Sequence, residues 1–165
     1  CAAPGELPAR QDVDPRVLRG ALGWTWLIQL SRHADGVHGV CKLAGEHAGA
    51  YLGRGAVGRA IEELAPNQAV GSGIAAAART AADVPAGAFL TVRAIERSGA
   101  RTPTGRHLFL PLADDGNVVG HVLAAVDPEP AARDIETGRD VETAIAYYGS
   151  EALRNSVVRE TSAGA

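Results

Sequence analysis

The spacing of apolar and polar residues changes several times along the chain, and each change marks an element. Over 14–22, Asp14 suits an N-cap and Pro15 the first helical position, while Val17, Leu18, Ala21 and Leu22 form one apolar face. A short helix is predicted there, closed by Gly23. From Trp24 to Ser31 the period falls to two, with Trp24, Trp26, Ile28 and Leu30 on one side, which predicts a strand. Asp35-Gly36 is a turn signal. Residues 37–44 are the return strand, with Cys41 and Leu43 on one face. The middle of the chain reads as short helices over 47–52 and 59–64, then a longer one over 68–82 with Val70, Ile74, Ala78 and Ala81 at helical spacing.

Three more strands are predicted, at 89–95, 106–113 and 118–126, with 99–105 as a loop. The second of them has two distinct faces. Leu108, Leu110 and Leu112 occupy one, and His107, Phe109 and Pro111 the other. Pro111 cannot donate to a ladder and should mark an edge or a bulge. Residues 114–117 form a turn, and the apolar run that follows belongs in the middle of a sheet. Beyond the stiff segment 127–130, a final helix is predicted over 139–159. Val141, Ile145, Tyr148 and Ala152 would line it as a stripe suited to a dimer or partner surface.

The expected architecture is therefore α+β. A five-stranded antiparallel sheet carries a helical block on one face, flanked by N- and C-terminal helices. The length of 165 residues fits one domain. The boundaries predicted are a loose segment at 1–13, the domain at 14–128, a linker and helix at 129–160 and a disordered tail at 161–165.

The order of two strands, a helical block and three strands is that of a PAS domain. Particular stretches sharpen the likeness: Leu7-Pro8-Ala9-Arg10 and Asp12-Val13-Asp14-Pro15 before the first helix, Gly45 and Gly58-Arg59 beside the early helices, and Arg106 to Leu112 running into Asp114-Asp115-Gly116. The chain resembles small, mostly single-domain PAS proteins of alphaproteobacteria over about residues 7–128. In that family a Leu-Pro-Leu stretch and an acidic-Gly turn precede the last strand. The family's second strand is usually richer in Arg and Tyr than Val37 to Leu43 is here. The resemblance implies one antiparallel sheet whose helices enclose a pocket. Together with the predicted strand faces, it points to Trp26, Ile28, Leu43, Tyr51 and Ile61 as ligand-binding residues.

Composition narrows the functional classes. A net charge of −3 gives no electrostatic reason to expect nucleic acid or an anionic membrane as partner. No apolar run is long enough to span a bilayer. Two cysteines, Cys1 and Cys41, make neither a disulfide framework nor a zinc motif, which fits a reducing, cytoplasmic setting. The opening Cys1-Ala2-Ala3-Pro4-Gly5 is compatible with the mature end of a bacterial lipoprotein, although a simple chain boundary is the expected reading.

No catalytic motif is legible. Glu62 and Glu63 are adjacent on a helix and diverge, so they form no acid–base pair. The glycine-rich segments 53–55 and 71–73 lack the residues of a phosphate loop, and Ser72 misses the Gly-x-Ser-x-Gly frame by one position. Cys41 sits on a strand rather than in the helical Asn-Cys-Arg context of a photoreactive flavin domain. His107 and His121 could face each other across a strand pair, but without a carboxylate or thiol they make a thin case for metal. The expectation is a non-enzymatic bacterial signalling module with no cofactor or metal. It would bind a small apolar ligand, or pair with a protein or with itself, and signal through its terminal helices. The alternatives are a ligand-free scaffold or localisation factor and, less favoured, a small α+β isomerase.

Overall fold

The computed structural model describes residues 7–64, 68–84, 87–95, 101–114, 118–127, 140–148 and 157–161. The strands are β1 (Thr25–His33), β2 (Gly36–Ala44), β3 (Gly87–Ile95), β4 (Arg101–Ala113), β5 (Val119–Asp127), β6 (Asp140–Tyr148) and β7 (Val157–Thr161). The helices are α1 (Glu46–Leu52) and α2 (Gln68–Asp83). All pairings between the strands are antiparallel, in the order β2-β1-β5-β4-β3-β6-β7. The first five of these positions are the expected five-stranded sheet, with β5 central between β1 and β4.

Strand alternation gives the sheet two different faces. Partners in adjacent strands share a face, so Trp26, Ala124, Phe109 and Ala88 form one row across β1, β5, β4 and β3. Val126, His107 and Leu90 form the next. These residues are buried beneath the helical block. Ala48 and Leu52 reach the core from α1, Ile61 and Leu64 from a 3₁₀ turn at Ile61–Glu63, and Val70, Ile74, Ala78 and Ala81 from α2. The alanines give α2 strong helix propensity and let it lie close to the strands. Gly71 is required at the crossing, because a Cβ there would sit 2.6 Å from the Glu62 carbonyl oxygen.

A bulge in the β1–β2 pair reshapes the second strand. Ile28 pairs with Cys41 but Leu27 pairs with Leu43, so Lys42 is the extra residue. Cys41 is fully buried while Leu43 is 59% exposed, which corrects the expectation that the two share a face. Leu43 instead begins an outer row, Leu43–Leu27–Leu123–Leu110, across β2, β1, β5 and β4.

Neither flanking helix is present among the described residues. Over 15–21 the chain makes turns, held by Val17 N–H to the Asp14 carbonyl and Ala21 N–H to that of Leu18, before a 3₁₀ turn at Leu22–Trp24. Nine residues containing Gly20 do not repay the cost of helix nucleation. Trp24 thus precedes the strand. It is half-buried with its ring 4.5 Å from that of His47, not in the row with Trp26.

At the other end, 140–148 is a strand along the whole of β3, and 157–161 adds to it. Val141, Thr143, Ile145, Tyr147 and Tyr148 favour strands, and β3 offers a nine-residue edge to pair with. Val141 lies opposite Ala94, Ile145 opposite Leu90 and Tyr148 opposite Gly87. The four–three spacing that aligns them on a helix has no such meaning on a strand, so the predicted dimer stripe does not exist as drawn, and Ala152 lies outside the described residues. Thr161, assigned to the tail, ends β7, and residues 101–105, expected as loop, extend β4. Pro111 lies on β4 beyond the point where β3 pairs with it, as its missing donor requires.

Candidate functional site

Four aromatic rings are linked on the inner face. Phe109 lies at the centre of its row on β4. Trp26 meets it edge-on at 6.1 Å, and His107, two residues earlier on the same strand, stacks on it at 6.2 Å with planes 14° apart. Tyr51 closes the series from α1, its hydroxyl 3.3 Å from His107 Nε2. Tyr51 lies in the last turn of α1. A Cβ on Gly105 would sit 3.2 Å from the same hydroxyl.

The electrostatics of this group follow from burial. His107 is fully buried, and loss of water pushes its pKa down from 6.5 to about 3, so the ring is neutral at physiological pH. The same cause raises the Tyr51 hydroxyl to about 12, which keeps its proton on. A neutral imidazole has one donor and one acceptor nitrogen. Nε2 faces Tyr51, and Nδ1 has no partner among the described residues. Trp26 Nε1, a donor only, is likewise buried and unpaired. A buried polar atom without a partner costs about 1–3 kcal/mol, so these two atoms on one inner face are the polar positions from which a bound group would gain most.

Of the five ligand-binding residues expected from sequence, four come together here. Trp26, Ile28 and Ile61 are buried in one core cluster and Tyr51 packs against it. Ile28 and Ile61 converge over Gly39, where an added Cβ would meet both, at 3.0 and 2.7 Å. Leu43 stands on the opposite face, away from Ile28, Ile61 and Tyr51, although it lines an outer cavity together with Trp26. His107 and Phe109 were missed as site residues. Their alternate placement with Gly105 and Pro111 was the available signal, but a strand with large side chains on both faces does not say which face is in.

The remaining candidates resolve simply. His107 and His121 do not face each other: His107 pairs with Val126 and His121 with Leu112, on opposite faces. His121 Nδ1 is instead 2.8 Å from Asp114 Oδ1. Glu62 pairs with Arg79 and Glu63 with Arg59. The Cys41 thiol is pushed up by burial and lies 3.5 Å from the Leu43 carbonyl, an inert packing role. Among the described residues no three His, Cys, Asp or Glu side chains are grouped to hold a metal ion, and no helix is long and apolar enough to cross a membrane.

An α+β domain with this strand order and an aromatic group between sheet and helices is a PAS-type sensory or interaction fold. The sequence profile described as a PAS domain matches residues 2–126, most of the chain, and the chain belongs to that family. Comparison with curated proteins and with solved structures returned no match.

Proposed function

We propose that this domain is a non-enzymatic sensory module of bacterial signal transduction, of the small alphaproteobacterial PAS type and cytoplasmic. It would bind a small, largely apolar ligand between the sheet and the helical block. The observation that carries the reading is the pair of unpartnered buried polar atoms, Trp26 Nε1 and His107 Nδ1, on either side of Phe109. A ligand that is mostly apolar but bears a hydrogen-bond acceptor would satisfy the indole donor while packing against Phe109, Ile28 and Ile61. Tyr51 and His107 would adjust to it through the tautomer of the imidazole.

Signalling then needs only a ligand with different affinity for two arrangements of the domain. The N-terminal segment is the natural receiver, because Ala113 at the end of β4 donates its N–H to the Pro8 carbonyl. Shifts in β4 around His107 and Phe109 pass along one strand to that contact.

Native mass spectrometry of freshly purified protein, with an absorption spectrum before and after denaturation, tests this. An excess mass released on unfolding, and reduced by Trp26→Phe, supports the sensor. An apo mass in the wild type, together with a protein partner recovered stoichiometrically, replaces it with the ligand-free scaffold.

A further inference from the structure

The outer face carries a cavity with a chemistry different from that of the inner aromatic group. The segment 9–24 crosses this face as a strap. It is tied down at its start by the Pro8–Ala113 hydrogen bond and the Ala9–Ala113 bridge, and at its end by Gly45 N–H to the Thr25 carbonyl. Between these ties its backbone hydrogen bonds among the described residues are internal, such as Val13 to Arg10 and Leu22 to Leu18. Under it lies a cavity of about 370 Å³, within the range of small-molecule sites. Val13, Leu18 and Leu22 form its roof, and Leu27, Leu43 and Leu123 its floor. Leu43 and Leu22 remain 59% and 39% exposed, so apolar surface stands open at the mouth.

One charged side chain lines the cavity. Arg10 is exposed at the rim and its guanidinium makes no ion pair among the described residues. The nearby carboxylates are turned elsewhere. Asp12 accepts from the Ala9 N–H at 3.0 Å and Asp14 from the Arg16 N–H at 2.8 Å, and neither lines the cavity. An apolar slot with a single cation at its rim complements an anionic amphiphile. We propose that this strap-covered groove binds a medium-chain carboxylate, with its alkyl chain on the leucine floor and its head at Arg10. Trp26 lines this cavity as well as the inner row, whereas Phe109 and His107 of the inner face do not.

Titration calorimetry of the full chain with decanoate and with decanol tests the assignment, beside light scattering of the same samples. Saturable one-to-one decanoate binding is expected. Arg10→Gln should weaken decanoate about fivefold while leaving decanol unchanged. Leu43→Asp, at an exposed position that folding tolerates, should cost tenfold or more, by roughly the burial of two methylenes or above. His107→Leu on the inner face, at a residue that does not line this cavity, should leave it intact. The proposal is overturned if decanoate does not saturate, if Leu43→Asp binds it normally, or if only His107→Leu removes binding. A dimer that Leu43→Asp dissociates also overturns it, since the groove would then hold a second copy of the chain.

Discussion

Two rows of side chains cross the same strands back to back. On the inner face Trp26, Ala124, Phe109 and Ala88 alternate large and small, and each large ring meets its neighbour at a defined angle. On the outer face Leu43, Leu27, Leu123 and Leu110 repeat one shape, from 7% exposed at Leu27 to 59% at Leu43. Both rows are apolar, yet only the first is packed as a jigsaw. The interior of a domain penalises misfit of a single methylene, whereas a partly covered face rewards burial without fixing shape. Hydrophobicity alone therefore does not tell the core of this sheet from its cover. The fit between large and small does.

The sharpest break in the comparison is Phe109→Ala, which removes the ring that both Trp26 and His107 touch. A loss of about 3–5 kcal/mol is expected from urea unfolding. A loss below 1 kcal/mol would mean the inner row is not tightly packed. Acid should act next, and on one face only. With a folded pKa near 3 and an unfolded value of 6.5, His107 stays neutral in the native state while the unfolded chain takes up a proton. Stability is whole above pH 6.5 and falls as pH drops toward 3. Roughly 2–3 kcal/mol should be lost by pH 4.5. His107→Leu should flatten that dependence, and an unchanged pH slope in the variant would remove His107 as its source.

Smaller effects grade the two faces further. Gly39→Ala places a methyl group against Ile61 and Ile28 and should cost roughly 1–3 kcal/mol by overpacking, read as a lower melting temperature. Leu43→Ser on the outer row should stay within about 0.5 kcal/mol. A penalty comparable to that of Gly39→Ala would show that the outer row is packed as closely as the inner one.

The sequence made the sheet legible where one face was polar. β1 alternates cleanly, so Trp26, Ile28 and Leu30 were placed correctly, and Asp35-Gly36 located the hairpin. β4 carries large side chains on both sides, so its alternation separates the leucines at 108, 110 and 112 from His107 and Phe109 without showing that the latter are buried against the helices. Leu43 was misplaced because a bulge shifts the alternation by one, and no local signal announces Lys42 as the extra residue. The segment 140–148 read as a helix by its spacing. Its β-branched and aromatic content was the competing signal, and the open edge of β3, a tertiary feature, decided the outcome. For the candidate site, Trp26, Ile28, Tyr51 and Ile61 could be reached from strand faces and the family likeness. The imidazole could not, since a histidine in isolation does not declare whether it is wet or dry.

The free side of β2 has a consequence for how this protein meets other chains. Residues 58–60 run beside that strand: Cys41 N–H bonds to the Arg59 carbonyl, the Gly58 N–H to the Cys41 carbonyl, and Val40 bridges Ala60. The donor and acceptor of Cys41 that would template a foreign strand are thus already occupied by the protein's own loop. Strand addition, whether fibril-like or by a peptide ligand, is interrupted at the middle of this margin. An unbroken ladder of foreign backbone along β2 would first have to displace residues 58–60.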